Sequence, residues 1–126
     1  MYLFDTNIFL EILLSQEKSA DCKKILNNSL GNISISNFTL HSIGVILFRQ
    51  KKERIFTRFV SDILSKIDIV SLSRQAYLAL SEFRDENDLD FDDSYQCKIA
   101  EEKDLIVVTM DKHFERVRKK IKVKFI

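Results

Sequence analysis

Asp5, Asp93 and Asp111 are far apart in the chain, yet each stands at the edge of an apolar run or at a helix start. Asp5 closes Tyr2-Leu3-Phe4, and Asp111 lies just past Leu105-Ile106-Val107-Val108-Thr109. Asp93 opens the helical segment that precedes that second run. If the runs are neighbouring strands, the carboxylates share one rim. Carboxylates so gathered raise one another's pKa unless a cation neutralises them. With no His or Cys cluster nearby, oxygen donors suit a hard ion, Mg²⁺ or alternatively Mn²⁺, which keeps water and binds phosphate oxygens. Such an ion can activate water against a phosphodiester. Each acid also has a plainer role: Asp5 ending a strand, Asp93 serving a helix dipole, Asp111 making a turn or cap.

The elements that must position these acids follow from pattern. Tyr2–Asp5, Ile33–Ser36, Ile67–Leu72, Leu105–Thr109 and Ile121–Phe125 read as short strands. Between them, a helix starts at Thr6 or Asn7 and a second spans Ala20–Leu30, stopped at Gly31. Asn37 or Thr39 caps a long apolar helix to about Gln50, and Ile55, Phe59, Ile63 and Leu64 recur at helical spacing. Ser73 caps a helix through Leu80 and Phe83. An acidic loop follows, and Asp92 caps a helix ending near Lys103. A short polar helix leads into the last strand. This alternation predicts an α/β domain with a mostly parallel central sheet flanked by helices, whose ligands collect beyond the carboxyl ends of the strands.

The chain's 126 residues point to a single domain, 1–126, with no repeat or linker. The scaling laws give roughly 7,000 Å² of folded surface against roughly 21,000 Å² unfolded, enough burial for a core without metal or disulfide. Hydrophobic residues at 45% and charged residues at 31% exclude a disordered chain, and the absence of Pro, with only 2 Gly, disfavours a turn-rich β-sandwich. The 2 cysteines, Cys22 and Cys97, form neither a disulfide framework nor a zinc set and read as small buried hydrophobes. The apolar N-terminus carries Asp5 and Glu11 and lacks a basic leader, so neither a signal peptide nor a membrane span is expected, and a reducing cytoplasmic setting is.

The net charge of +1 hides an acidic stretch from Glu82 to Asp93 and a basic one from Lys112 to Lys124. Two readings stay open: solvated surfaces that attract each other, or an acidic metal site beside a basic ledge for RNA. In the second, Arg116, Arg118, Lys119 and Lys120 hold phosphates in a sequence-independent, salt-sensitive way. His113 reads as a solvated turn residue rather than a general base. Phe38, Phe48, Phe56 and Phe59 read as core or a subunit interface.

Tyr2-Leu3-Phe4-Asp5-Thr6-Asn7 resembles the opening strand and D-T-N motif of PIN-domain ribonucleases, including the toxins of VapBC toxin–antitoxin pairs. Phe91-Asp92-Asp93-Ser94 with Ile99-Ala100 resembles that family's Asp-Ala helix, and Thr109-Met110-Asp111 with Phe114 its T-x-D-x-x-F segment. The resemblance implies a three-layer PIN-like fold and a metal-dependent endoribonuclease, the toxin of a type II pair. Asp5, Asp93 and Asp111 would be its catalytic, metal-binding acids, with Asn7 and Thr109 as polar neighbours orienting a carboxylate or the substrate phosphate. On the charge pattern rather than the resemblance, Arg116 and Lys119 would contact substrate. The resemblance further implies a homodimer through the early helices and a small antitoxin partner. One residue departs from the pattern: in Thr39-Leu40-His41-Ser42, Ser42 stands where the family places a glutamate, so the site loses a charge. His41, Glu11 or Asp92 could compensate. Ser42 also keeps open a degenerate PIN-fold module that binds RNA or protein without cutting. A phosphorylatable receiver-like domain fits poorly, since Asp5 has no acidic neighbour and Ser71-Leu72-Ser73 ends the third strand.

Overall fold

Short β-branched and aromatic runs form five strands: Tyr2–Phe4 (β1), Ile33–Ser36 (β2), Asp68–Val70 (β3), Ile106–Thr109 (β4) and Val123–Phe125 (β5). The computed structural model describes Met1–Ile126 throughout. The strands make one sheet in the order β3-β2-β1-β4-β5, and every neighbouring pair is parallel. Leu3 pairs with Ser34 on one side and Val107 on the other. From β1 the chain steps outward to β2 and β3, then returns to the opposite side of β1 for β4 and β5. The topology therefore reverses between β1 and β4, the position at which parallel α/β sheets gather ligands beyond the carboxyl ends of their strands.

Helices cover both faces: Thr6–Leu13 (α1), Ser19–Asn28 (α2), Asn37–Arg49 (α3), Glu53–Asp62 (α4), Leu80–Asn87 (α5) and Phe91–Lys103 (α6). Stretches of 3₁₀ helix fill Leu64–Lys66, Gln75–Ala79 and Lys112–Val117. Because strand side chains alternate, Leu3 and Val107 join one core with Phe83, Ile99 and Phe114. Phe4 and Val108 join the other, with Phe9, Ile43, Leu47 and Phe59. The result is helix, sheet, helix: a three-layer α/β architecture around a parallel central sheet. Cys22 and Cys97 are free and fully buried.

Several boundaries differ from the sequence expectation. Ser36, not Asn37 or Thr39, caps α3, its hydroxyl accepting from Thr39 N at 2.9 Å. The acidic stretch is mostly helix, since α5 runs to Asn87 and ends on Asp88 at φ 53°. There a short polar side chain tolerates the left-handed turn. The segment from Ser73 opens in a 3₁₀ turn, and α5 proper starts only at Leu80. Asp90 stands at the N-cap of α6, so Asp92 lies within the first turn and is not the cap. No helix is long and apolar enough to cross a membrane.

Candidate metal centre

Asp5 follows β1 and caps α1, with its Oδ1 accepting from Thr6 N at 2.9 Å. Its backbone N donates to Val108 O, which ties the strand end to β4. The Thr109 hydroxyl donates to Asp5 Oδ2 at 2.8 Å and accepts from Asp111 N at 2.9 Å. A single buried threonine thus links the acid after β1 to the acid after β4. Gln96 Nε2 reaches Asp5 Oδ1 at 3.4 Å and Thr39 Oγ1 at 3.0 Å, and Thr6 Oγ1 donates to the same Thr39 oxygen. Both Asp5 oxygens are occupied by this network.

Asp93 lies in the first turn of α6, where the helix dipole favours a carboxylate. It is 8% exposed, and its side chain has no hydrogen bond or ion pair in the protein. Ligand atoms of Asp93, Asp111 and His113 lie within 4.8 Å of one another, and Asp5 is not a member of that group. His113 Nδ1 is 3.4 Å from Asp111 Oδ1, which also accepts from His113 N at 2.9 Å. Asp111 therefore does serve as a cap, for the 3₁₀ turn, while pointing an oxygen at the group.

The acids are electrostatically costly as they stand. Burial, and then the charges of Asp92, Asp5, Asp111 and Asp90, push the Asp93 carboxyl up to about 7. Burial also raises Asp5, against the lowering effect of its bonds from Thr109, Thr6 and Gln96. Burial, followed by Asp93 and Asp5, drives the Cys97 thiol well above its ordinary range, so it stays protonated. No lysine or arginine pairs with Asp5, Asp93 or Asp111. A half-exposed carboxylate, an unpartnered buried one and an imidazole form a donor set that fits a divalent cation.

The remaining expected site residues scatter. Asn7 Oδ1 accepts from Met110 N at 3.5 Å, steadying the loop after β4. Thr109 is 0% exposed, so it orients Asp5 and cannot meet a substrate phosphate. Arg116 donates to Asp88 O and lies 3.7 Å from Asp88 Oδ2, while Lys120 bridges Glu86 and Asn87. The acidic and basic stretches thus pair in part, as the plainer charge reading expects. Lys119 carries no ion pair and shares a polar cleft with Glu115, Arg116, Arg118 and Lys120. Ser42 and His41 face an aromatic cleft of about 490 Å³ with Phe38, Tyr77, Phe91 and Tyr95. Glu11 accepts from Lys18 N, so it belongs to the α1–α2 turn.

Sequence reasoning set His113 aside and did not single out Gln96, whose placement one turn beyond Asp93 was the available signal. Gln96 Oε1 is buried without a partner.

Residues 2–120 match the PIN domain family model. No curated protein matches the chain. Among solved structures, a toxin–antitoxin complex from Klebsiella pneumoniae is 26% identical, covers 90% of this chain and 90% of that one, and has a TM-score of 0.73. VapBC2 from Rickettsia felis, bound to a promoter DNA fragment, is 20% identical over 99% of this chain and 98% of that one, with a TM-score of 0.80. The sarcin–ricin-loop-cleaving VapC20 toxin of Mycobacterium tuberculosis is 12% identical, covers 96% of both chains and has a TM-score of 0.79.

Proposed function

This chain belongs to the PIN domain family, and from that premise we propose that it is a metal-dependent endoribonuclease that hydrolyses RNA phosphodiester bonds. We assign it the toxin role in a type II toxin–antitoxin pair, acting in the cytoplasm as one domain over 1–126. The observation that carries the reading is the group of carboxylates with no protein cation to neutralise them, set at the topological reversal between β1 and β4. Mg²⁺ is the expected ion and Mn²⁺ the alternative.

Asp93 and Asp111 would hold the ion, and Asp5 would complete the acidic set beside them. A bound divalent cation supplies activated water and offsets charge on a phosphoryl oxygen. The protein's own residues prepare that site. Thr109, Thr6 and Gln96 fix the Asp5 carboxylate, and Asn7 holds the Met110 backbone so that Asp111 is aimed. Lys119, and Arg116 on exchange from Asp88, would anchor RNA phosphates. An antitoxin partner is supported by the toxin–antitoxin complexes of similar fold.

RNA incubated with the purified protein should be cut with Mg²⁺ or Mn²⁺ and not with EDTA, and Asp5→Asn or Asp93→Asn should abolish cutting. The departure at Ser42 favours a second reading. α3 carries no Asp or Glu between Asn37 and Arg49, so the helix expected to bring a glutamate brings no charge. RNA or protein binding with no metal-dependent cleavage in the wild type would establish the non-cutting module instead.

A further inference from the structure

We propose that His113 is a metal ligand of this site through Nδ1, and that its nitrogen biases the site from Mg²⁺ toward Mn²⁺. The inference rests on the metal-dependent reading above and adds a donor to it. Asp93 is more than nine-tenths buried, unpartnered, and grouped with Asp111 and His113 within 4.8 Å. Around an octahedral ion with bonds of about 2.1 Å, neighbouring donors sit about 3.0 Å apart and opposite ones about 4.2 Å apart. His113 Nδ1 and Asp111 Oδ1, at 3.4 Å, therefore need only a few tenths of an ångström to become neighbouring ligands.

The backbone supports the same geometry. His113 N donates to Asp111 Oδ1, which locks the 3₁₀ turn and keeps the ring on the side of that carboxylate. Beyond this contact the ring is exposed, so turning toward an ion breaks no packing. The donor count gives it a task. With Ser42 on an acid-free α3, the site lacks one strong ligand, and His113 is the strong donor that stands within reach. Imidazole suits later first-row ions better than Mg²⁺, which binds almost wholly through oxygen.

The test is Mn²⁺ electron spin-echo modulation on the tag-free protein. The chain has 2 histidines, so a ¹⁴N coupling of directly bound imidazole can come only from His113 or His41. The coupling should be present in the wild type and His41→Gln, and absent in His113→Gln. Mn²⁺ affinity should fall about tenfold or more in His113→Gln, at least what an outer-shell partner costs, while Mg²⁺ affinity by competition moves less. His113→Asp should keep divalent binding without the nitrogen signal and shift preference toward Mg²⁺. Mn²⁺ bound by the wild type with no nitrogen coupling overturns the ligand and leaves the metal site standing. A wild type that binds neither ion overturns both. A coupling that survives in His113→Gln and vanishes in His41→Gln overturns the assignment.

Discussion

At the scale of single residues, Asp93 combines the two properties that oppose each other in a metal-free protein: burial and negative charge. Its carboxyl is raised from 3.8 to about 7, so between those values the folded state holds a proton that the unfolded chain releases. The Asp93 contribution to the stability of the metal-free protein therefore falls as pH rises from about 4 to about 7, then levels. Thermal melts in EDTA should show Tm dropping by roughly 5 °C or more across that window. Asp93→Asn should remove this part of the fall, leaving what the raised Asp5 carboxyl contributes, and melt higher at pH 7.5. Metal binding expels the same proton, so the Mn²⁺-induced rise in wild-type Tm should grow with pH up to about 7 and vanish in the Asn variant. Thr109 makes a second residue-scale case, because one hydroxyl serves both Asp5 and Asp111 N. Thr109→Val keeps the shape and leaves both partners unsatisfied, at a cost of about 1–3 kcal/mol in stability. By calorimetry its metal affinity should drop about tenfold or more while far-UV circular dichroism is unchanged.

The elements explain why some of this was readable in the sequence and some was not. β1 and β4 announce themselves as apolar runs closed by an aspartate, and the parallel sheet then brings Asp5 and Asp111 to one edge. That much follows from period and topology. α6 was legible as a helix but not as a buried one. Asp93, Ser94, Tyr95, Gln96 and Cys97 are consecutive and all buried, a pattern with no amphipathic stripe to find. Two of its polar groups, the Tyr95 hydroxyl and the Gln96 Nε2, find partners distant in sequence at Asn37 and Thr39, pairs that no local pattern announces. α3 shows the complementary case. Its missing acid was visible at Ser42, whereas the aromatic cleft around that position depends on Tyr77 and Phe91 arriving from other elements. Placing the acid back gives an element-scale prediction. Ser42→Glu should raise Mg²⁺ affinity about tenfold or more in a competition titration and increase the cleavage rate. If it weakens both, α3 does not face the ion.

The whole molecule is nearly neutral, so polyanion binding depends on where its charge sits rather than on how much there is. The basic turn after β4 lies beyond the same strand edge as Asp111, but its members are not equally available. Lys119 is free of ion pairs, and Arg116 must first give up Asp88. On single-stranded RNA each neutralised phosphate contributes about 0.7 to the slope of log affinity against log salt. Lys119→Ala should remove close to that amount, and Arg116→Ala less, because Asp88 already neutralises part of the Arg116 charge. Fluorescence anisotropy at several salt concentrations measures both slopes. Val45, Phe48, Tyr77 and Phe91 are exposed apolar residues lining the aromatic cleft or the groove beside it, and Leu78, next to Tyr77 in the chain, is 85% exposed. Exposed apolar residues grouped in this way suit a protein contact. If the homodimer implied by the family uses this strip, Leu78→Lys should convert a dimeric wild type to monomer by light scattering with Tm nearly unchanged, since the side chain packs against little within its own chain. A variant that stays dimeric moves the contact elsewhere, to the early helices α1 and α2.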